Sequence, residues 1–217
     1  MNKEIINKTE AFLKETFANS TFLQMNPSEA AYRLEHSYRV ANIAKEIALA
    51  EGFNVTQAVV AGLLHDIAYC EEMTTQEDRR SHGRRGAEIA RPFLNSLGFS
   101  QECVNAICYG IAIHVDDTSS FEWERTPFSE TVGDADNIDR FDVYRIYEIL
   151  QIQKFSEMHL EQKVERVNTA LGRLNSLLEM KLGTATAQRM WKERLEYYIS
   201  FYEKLKQQLA NSGEILL

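Results

Sequence analysis

The sequence predicts an all-α protein, and three observations carry that expectation. Its 217 residues include only 3 prolines and 10 glycines, too few for the closely spaced turns of an all-β chain. Apolar residues recur at three- and four-residue steps over most of its length. The hydrophobic fraction, 44%, is sufficient for a real core, so the chain reads as one helical domain over residues 1–217.

The elements follow in order. Ile6, Phe12, Leu13 and Phe17 space the first segment, Ile5 to Phe17, as an amphipathic helix. Asn26-Pro27-Ser28 interrupts it, with Ser28 the expected N-cap of a second helix that runs to Glu51. Val40, Ile43, Ala44, Ile47 and Ala48 form that helix's stripe, and Gly52 ends it. Thr56 is expected to cap a third helix, Gln57 to about Ala68, whose AVVAGLL run is apolar nearly all round, as in a central buried helix. After a polar loop, Ser81 reads as the cap of a fourth helix that stops at Gly98, with Pro92 predicting a kink or a later start. Ser100 caps a fifth, ending near His114. Residues 115–128 form a long irregular connection, and Ser129 opens a sixth helix that carries Asp134, Asp136 and Asp139 to about Gln153. Beyond Met158 come two long charged helices, split at Gly183-Thr184, with Leu171, Leu174, Leu178, Trp191, Leu195 and Tyr198 at helical steps. They predict a hairpin over about 157–210 that covers the core or pairs two copies as a homodimer.

Charge and cysteine usage exclude several classes. With 24 basic and 32 acidic side chains the formal charge is −8, which repels a phosphate backbone on average and argues against duplex nucleic acid as a partner. A local group of arginines can still bind a small anion. Cys70, Cys103 and Cys108 are odd in number, contain no CxxC, and read as packing residues. The N-terminus, MNKEIINKTEAFLKE, lacks an unbroken apolar h-region, and no apolar run reaches spanning length. A cytoplasmic protein with no membrane partner is the expectation.

The chemistry-bearing residues stand out against this background. His36 lies four residues before Val40 and shares its interior face. His65-Asp66 terminates an otherwise apolar helix, where a buried carboxylate costs several kcal/mol unless a cation compensates it. Asp136 and Asp139, three apart, share a helix face, and Asp134 points elsewhere. One aspartate of that group, Asp66 and two imidazoles would make an N2O2 set without thiolate. Such a set suits Mn²⁺, Fe²⁺, Co²⁺ or Mg²⁺ better than structural zinc.

Together these residues carry a resemblance. The series E-H-S-Y-R-V-A from Glu35, A-G-L-L-H-D-I from Ala61, S-H-G-R-R-G-A from Ser81, then His114, then D-A-D-N-I-D from Asp134, is similar to the HD superfamily of metal-dependent phosphohydrolases over residues 30 to 145. The resemblance implies an HD-like helical core, about 28–153, between the N-terminal helix and the C-terminal hairpin. It implies His36, His65, Asp66 and Asp136 as metal ligands, with Asp134 or Asp139 as substitutes for Asp136. The segment at His82-Gly83 resembles that of two-metal phosphodiesterases in the same superfamily, which usually carry a further histidine where this chain has Val115. One cation is therefore the leading expectation and two the alternative, with His82 and His114 otherwise binding phosphate or donating a proton. The related guanosine-tetraphosphate hydrolases carry a glutamate where Tyr69 stands, which counts against that substrate.

The expected chemistry is attack of an activated water on phosphorus, with Asp66 orienting or deprotonating the water. Arg84 and Arg85, read as opening a helix, are candidate phosphate binders. Arg39, near His36, and Arg140, one turn beyond Asp136, are two more. The expected partner is a small phosphorylated molecule, with a nucleotide as the leading candidate. A non-catalytic HD-like nucleotide sensor and a two-metal phosphodiesterase are the rival readings.

Overall fold

The computed structural model describes residues 1–213 and 215, and every regular element among them is helical. The chain divides into two compact units, Met1–Asp139 with Gly183–Ala187, and Arg140–Leu182 with Gln188–Leu217.

In the first unit, α1 (Lys3–Ala18), a short α2 (Thr21–Met25), α3 (Pro27–Glu51) and α4 (Val55–Leu64) precede a 3₁₀ turn at Ile67–Cys70. They are followed by α5 (Gln76–Ser96), α6 (Gln101–Ile113) and α7 (Pro127–Arg140), the last of which leaves the unit after Asp139. The predicted central helix is α4: its residues Ala58 to Leu64 are all buried. It packs along α3 at a contact set by Gly62, where a Cβ would stand 2.7 Å from the Ala41 Cα. The close approach draws the end of α4 onto the middle of α3, which places His65 beside His36. The segment Gly183–Ala187 is tied into the same unit, with the Gly183 N–H donating to Asp134 at 2.9 Å and the Thr186 N–H to Glu51 at 2.8 Å.

Several helix starts differ from the sequence reading, each for a local reason. Asn54, not Thr56, caps α4, because the Asn54 side chain accepts the Gln57 N–H while the Thr56 hydroxyl accepts the Asn2 N–H. Pro27 occupies the first turn of α3 with Asn26 as N-cap, in place of a Ser28 cap. The fourth predicted helix begins at Gln76 rather than after Ser81, since Thr75 and Asp78 form a reciprocal capping box. Pro92 is carried inside that helix, α5. The short α2 is an element the apolar spacing did not signal; its Ser20 hydroxyl accepts the Leu23 N–H.

The second unit contains α8 (Val143–Ile152), α9 (Leu160–Leu177) and α10 (Ala185–Ala210) from Gln188 onward. The predicted sixth helix is thus two, because Asp142 turns out of helical geometry and caps Val143 at 2.7 Å. α9 and α10 are the predicted C-terminal pair. Buried Val167, Leu174, Trp191, Leu195, Tyr198 and Tyr202 form their core, and the Trp191 indole N–H donates to the Leu177 carbonyl at 3.1 Å. No helix among the described residues is long and apolar enough to cross a membrane.

The Gly62 contact has a measurable consequence. Gly62→Ala is expected to lower unfolding stability by roughly 1–3 kcal/mol through overpacking against the α3 backbone. An unchanged urea midpoint would show that the two helices can separate freely there.

Candidate metal centre

Each functional side chain is delivered by a different part of the first unit. Arg33 and His36 come from α3, one helical turn apart, and His65 and His114 are the residues that close α4 and α6. His82 lies within α5, Asp66 begins the 3₁₀ turn, and Asp136 and Asp139 lie on α7. The placement of His65 and His114 follows from helix chemistry: the last carbonyls of a helix lack intrahelical donors. The His65 ring takes the Gly62 carbonyl at 2.8 Å, and the His114 ring takes that of Ile111 at 2.7 Å. His82 makes the same three-residue return to Arg79 at 2.7 Å.

Those bonds fix which nitrogen faces inward. A carbonyl only accepts, so the Nδ1 atoms of His65, His82 and His114 carry hydrogen, and Nε2 is the atom left to bind. His36 is held likewise, with its Nδ1 donating to Asp139 Oδ2 at 2.7 Å. The four Nε2 atoms converge in two pairs, His36 with His65 at 3.2 Å and His82 with His114 at 3.1 Å. Asp66 stands between the pairs. Its Oδ2 is 3.6 Å from His36 Nε2, and its Oδ1 is 3.0 Å from His82 Nε2 and 3.7 Å from His114 Nε2. Asp136 Oδ1 reaches His36 Nε2 at 3.1 Å.

The donor chemistry fits a divalent cation. Among the described residues, His36, His65 and Asp66 offer ligand atoms all within 4.8 Å of one another, as do Asp66, His82 and His114. The two triads share Asp66. Gly83 makes the second possible: a Cβ there would lie 2.7 Å from the Ala112 carbonyl oxygen and 2.8 Å from that of Ile111.

The electrostatics agree with this arrangement. Burial would raise the Asp66 carboxyl, yet the surrounding imidazoles hold it well below the usual carboxylate range. Burial opposes a charge on His36, but the Asp136 and Asp139 carboxylates outweigh it and lift the ring to about 9. Burial also works against a charged His114, which Asp66 overcomes by raising its pKa. His65, enclosed and flanked by other imidazoles, is driven by burial down to about 4. The buried anions are thus balanced by proton-bearing rings, and cation binding there must displace protons.

A protein-family model described as HD domain matches residues 33–144. The chain belongs to the HD domain family. A solved structure from an uncultured Thermotogales bacterium, described as a predicted HD superfamily hydrolase, aligns with a TM-score of 0.62 and 23% identity. It covers 95% of this chain and 91% of that one, a likeness of fold. No curated protein matches. Family membership and the donor cluster together support a metal-dependent hydrolase in general.

Around the HD cluster, the remaining candidates fall in distinct places. Asp139 orients His36 and holds Arg39 at 2.7 Å, so Arg39 is bound into the wall rather than extended into open space. Asp134 faces the Gly183 N–H, away from the imidazoles. One nitrogen of Arg84, Nη1, reaches both Asp116 oxygens at 2.8 Å. Arg85 is exposed and pairs with Glu71 and Glu88. Both lie well inside α5, so the expectation that they sit at a helix start with free N–H groups is corrected by the Thr75 cap. Arg140 is exposed and is the first residue of the second unit.

Arg33 is a site residue that the sequence reading did not select. Its guanidinium is 3.0 Å from Asp66 Oδ2, 2.7 Å from Glu29, and 3.4 Å from the Tyr69 ring centre. The signal for it was present: 33, 36, 37 and 40 share one face of α3.

Two outcomes are expected. Asp139→Asn, which removes the charge behind His36, should weaken divalent-metal affinity about 10–100-fold in chelator competition; unchanged affinity would remove Asp139 from this role. Burial raises the Asp134 pKa from 3.8 to about 7. A carboxyl raised on folding favours the folded state at low pH and loses that contribution as pH rises through its folded value. Urea stability of the metal-free protein should therefore fall by roughly 2 kcal/mol or more between about pH 4 and 7 from this group, and level off above. Asp134→Asn should flatten that component, and an identical pH slope in the variant would contradict it.

Proposed function

We propose that this HD domain protein is a divalent-metal-dependent phosphohydrolase acting on a small phosphorylated molecule, with a nucleotide as the leading substrate class. The observation that carries the proposal is the convergence of four imidazole Nε2 atoms on one buried carboxylate, Asp66. His36, His65, Asp66 and Asp136 would hold one cation. Such a cation supplies Lewis acidity toward a phosphoryl oxygen and acidifies water.

The chain's own residues supply orientation and proton handling. Asp139 and the backbone carbonyls keep the rings aimed inward, so little reorganisation accompanies reaction. Arg33, fixed over Tyr69 and beside Asp66, offers a positive charge to a phosphate at the edge of the cluster. Asp66 is the acceptor best placed to orient or deprotonate attacking water, and His82 or His114 would return a proton to the leaving oxygen.

One observation favours a second reading. Asp66, His82 and His114 form a second triad of possible ligands, although Val115 stands where the resembled two-metal phosphodiesterases usually have another histidine. Two cations sharing Asp66 would make the protein a phosphodiesterase. The non-catalytic sensor reading keeps the same pocket without turnover. The acidic surface charge still weighs against duplex nucleic acid, and pairing of two copies through the C-terminal helices remains part of the proposal.

The test combines elemental analysis of purified protein with phosphate release from monoester, anhydride and diester panels in Mn²⁺. Turnover with one ion per chain is expected for the first reading, and two ions with diester cleavage for the second. Asp66→Ala should lose bound metal and reduce activity at least about 10³-fold, with helical circular dichroism retained. Full activity and full metal occupancy in Asp66→Ala would end the proposal. Tight nucleotide binding without product would favour the sensor.

A further inference from the structure

Away from the imidazole cluster, the second unit holds a cavity of its own, about 140 Å³, lined from α8, α9, α10 and Phe141. Its aromatic wall is formed by Phe141, Tyr198 and Tyr202. Tyr198 stacks on Tyr202 at 5.5 Å, and Phe141 lies 6.2 Å from Tyr198. An apolar cavity of about 150 Å³ is known to accommodate benzene, so this one has room for a single six-membered ring.

The charge at its rim is unbalanced. Two exposed arginines, Arg166 and Arg173, stand on the α9 side of the cavity. Other arginines of this unit are neutralised: Arg145 by Glu148 at 3.0 Å, Arg189 by Glu193 at 3.1 Å and Arg194 by Asp142 at 2.6 Å. No ion pair joins Arg166 or Arg173 to a carboxylate among the described residues. Arg173 instead lies 6.0 Å from the Phe141 ring. An aromatic wall edged by two guanidinium groups that face no carboxylate suits a ligand with an aromatic ring and an anionic group.

We propose that this cavity is a second ligand site, for a monocyclic aromatic carboxylate. The ring occupies the space beside Phe141, Tyr198 and Tyr202. Its carboxylate engages Arg166 and Arg173 at the exposed rim. The site draws on no residue of the imidazole cluster, so it stands or falls independently of the phosphohydrolase reading.

The test uses the 217-residue chain, with benzoate and phenol as probes in titration calorimetry. The Trp191 indole N–H signal locates binding by NMR, because Trp191 packs edge-on against Phe141 at 4.9 Å. The chain has 2 tryptophans, so a Trp123→Phe variant assigns the signal. Saturable binding of benzoate is expected, with phenol at least about tenfold weaker. Replacing both arginines (Arg166→Gln with Arg173→Gln) should weaken benzoate at least about tenfold and leave phenol unchanged. Both side chains are exposed, so circular dichroism should be preserved. Absence of saturation at low millimolar probe, binding that ignores the arginine changes, or binding that leaves the Trp191 signal unmoved would each overturn the proposal.

Discussion

Asp66 is a carboxylate with a side chain only 4% exposed, set at the junction of helices that would otherwise present an apolar interior. An isolated buried charge of that kind is too costly to persist, so its surroundings must supply positive charge or proton donors. They do so from several directions: Arg33 and His36 on α3, His65 at the end of α4, His82 on α5 and His114 at the end of α6. The packing of those helices and the electrostatics of this one side chain are consequently a single problem. Gly62 and Gly83 solve its steric half by letting backbones approach where a methyl group would collide.

The second layer of contacts turns a cluster of polar groups into an aimed one. Three rings return Nδ1–H to a carbonyl three residues earlier, and the fourth gives it to Asp139. Every inward-facing nitrogen is therefore Nε2, a uniformity that protonation chemistry alone would not produce. Asp139 in turn is braced by Arg39, and Arg33 lies over Tyr69, so charges near the centre are held by groups that are themselves held. An HD domain arranged this way is preorganised before any ion or substrate arrives. Arg84, by contrast, faces Asp116, and Arg85 two surface glutamates, whereas Arg33 touches Asp66 itself.

The C-terminal helices carry a different chemistry. Their core is aromatic, built on Trp191, Tyr198 and Tyr202, and holds no metal-type cluster among the described residues. Their cavity is edged by arginines that face no carboxylate, which suit a small organic anion rather than a cation. The two units thus differ in what they can bind as well as in how they are built.

Much of the first unit was legible from residues alone. Helical spacing identified the elements, and the buried α4 was evident from AVVAGLL because a run apolar on every side cannot face water. The likeness of the histidine and aspartate series to the HD superfamily points to His36, His65, Asp66 and Asp136, side chains that the fold brings near one another. The exact starts were less legible: Asn54, Thr75 and Asn26 displaced the expected caps because several hydroxyl and amide side chains competed for the same role within a few residues. What only the tertiary structure decided is which side chains meet. The pairing of His82 with His114, the sharing of Asp66 between two triads, the turn of Asp139 toward Nδ1 and of Asp134 toward Gly183, and the position of Arg33 all depend on residues tens of positions apart. Local sequence fixes a side chain's face on its own helix, whereas the partner across the interface is set by how neighbouring helices pack, and that information is distributed over the whole core.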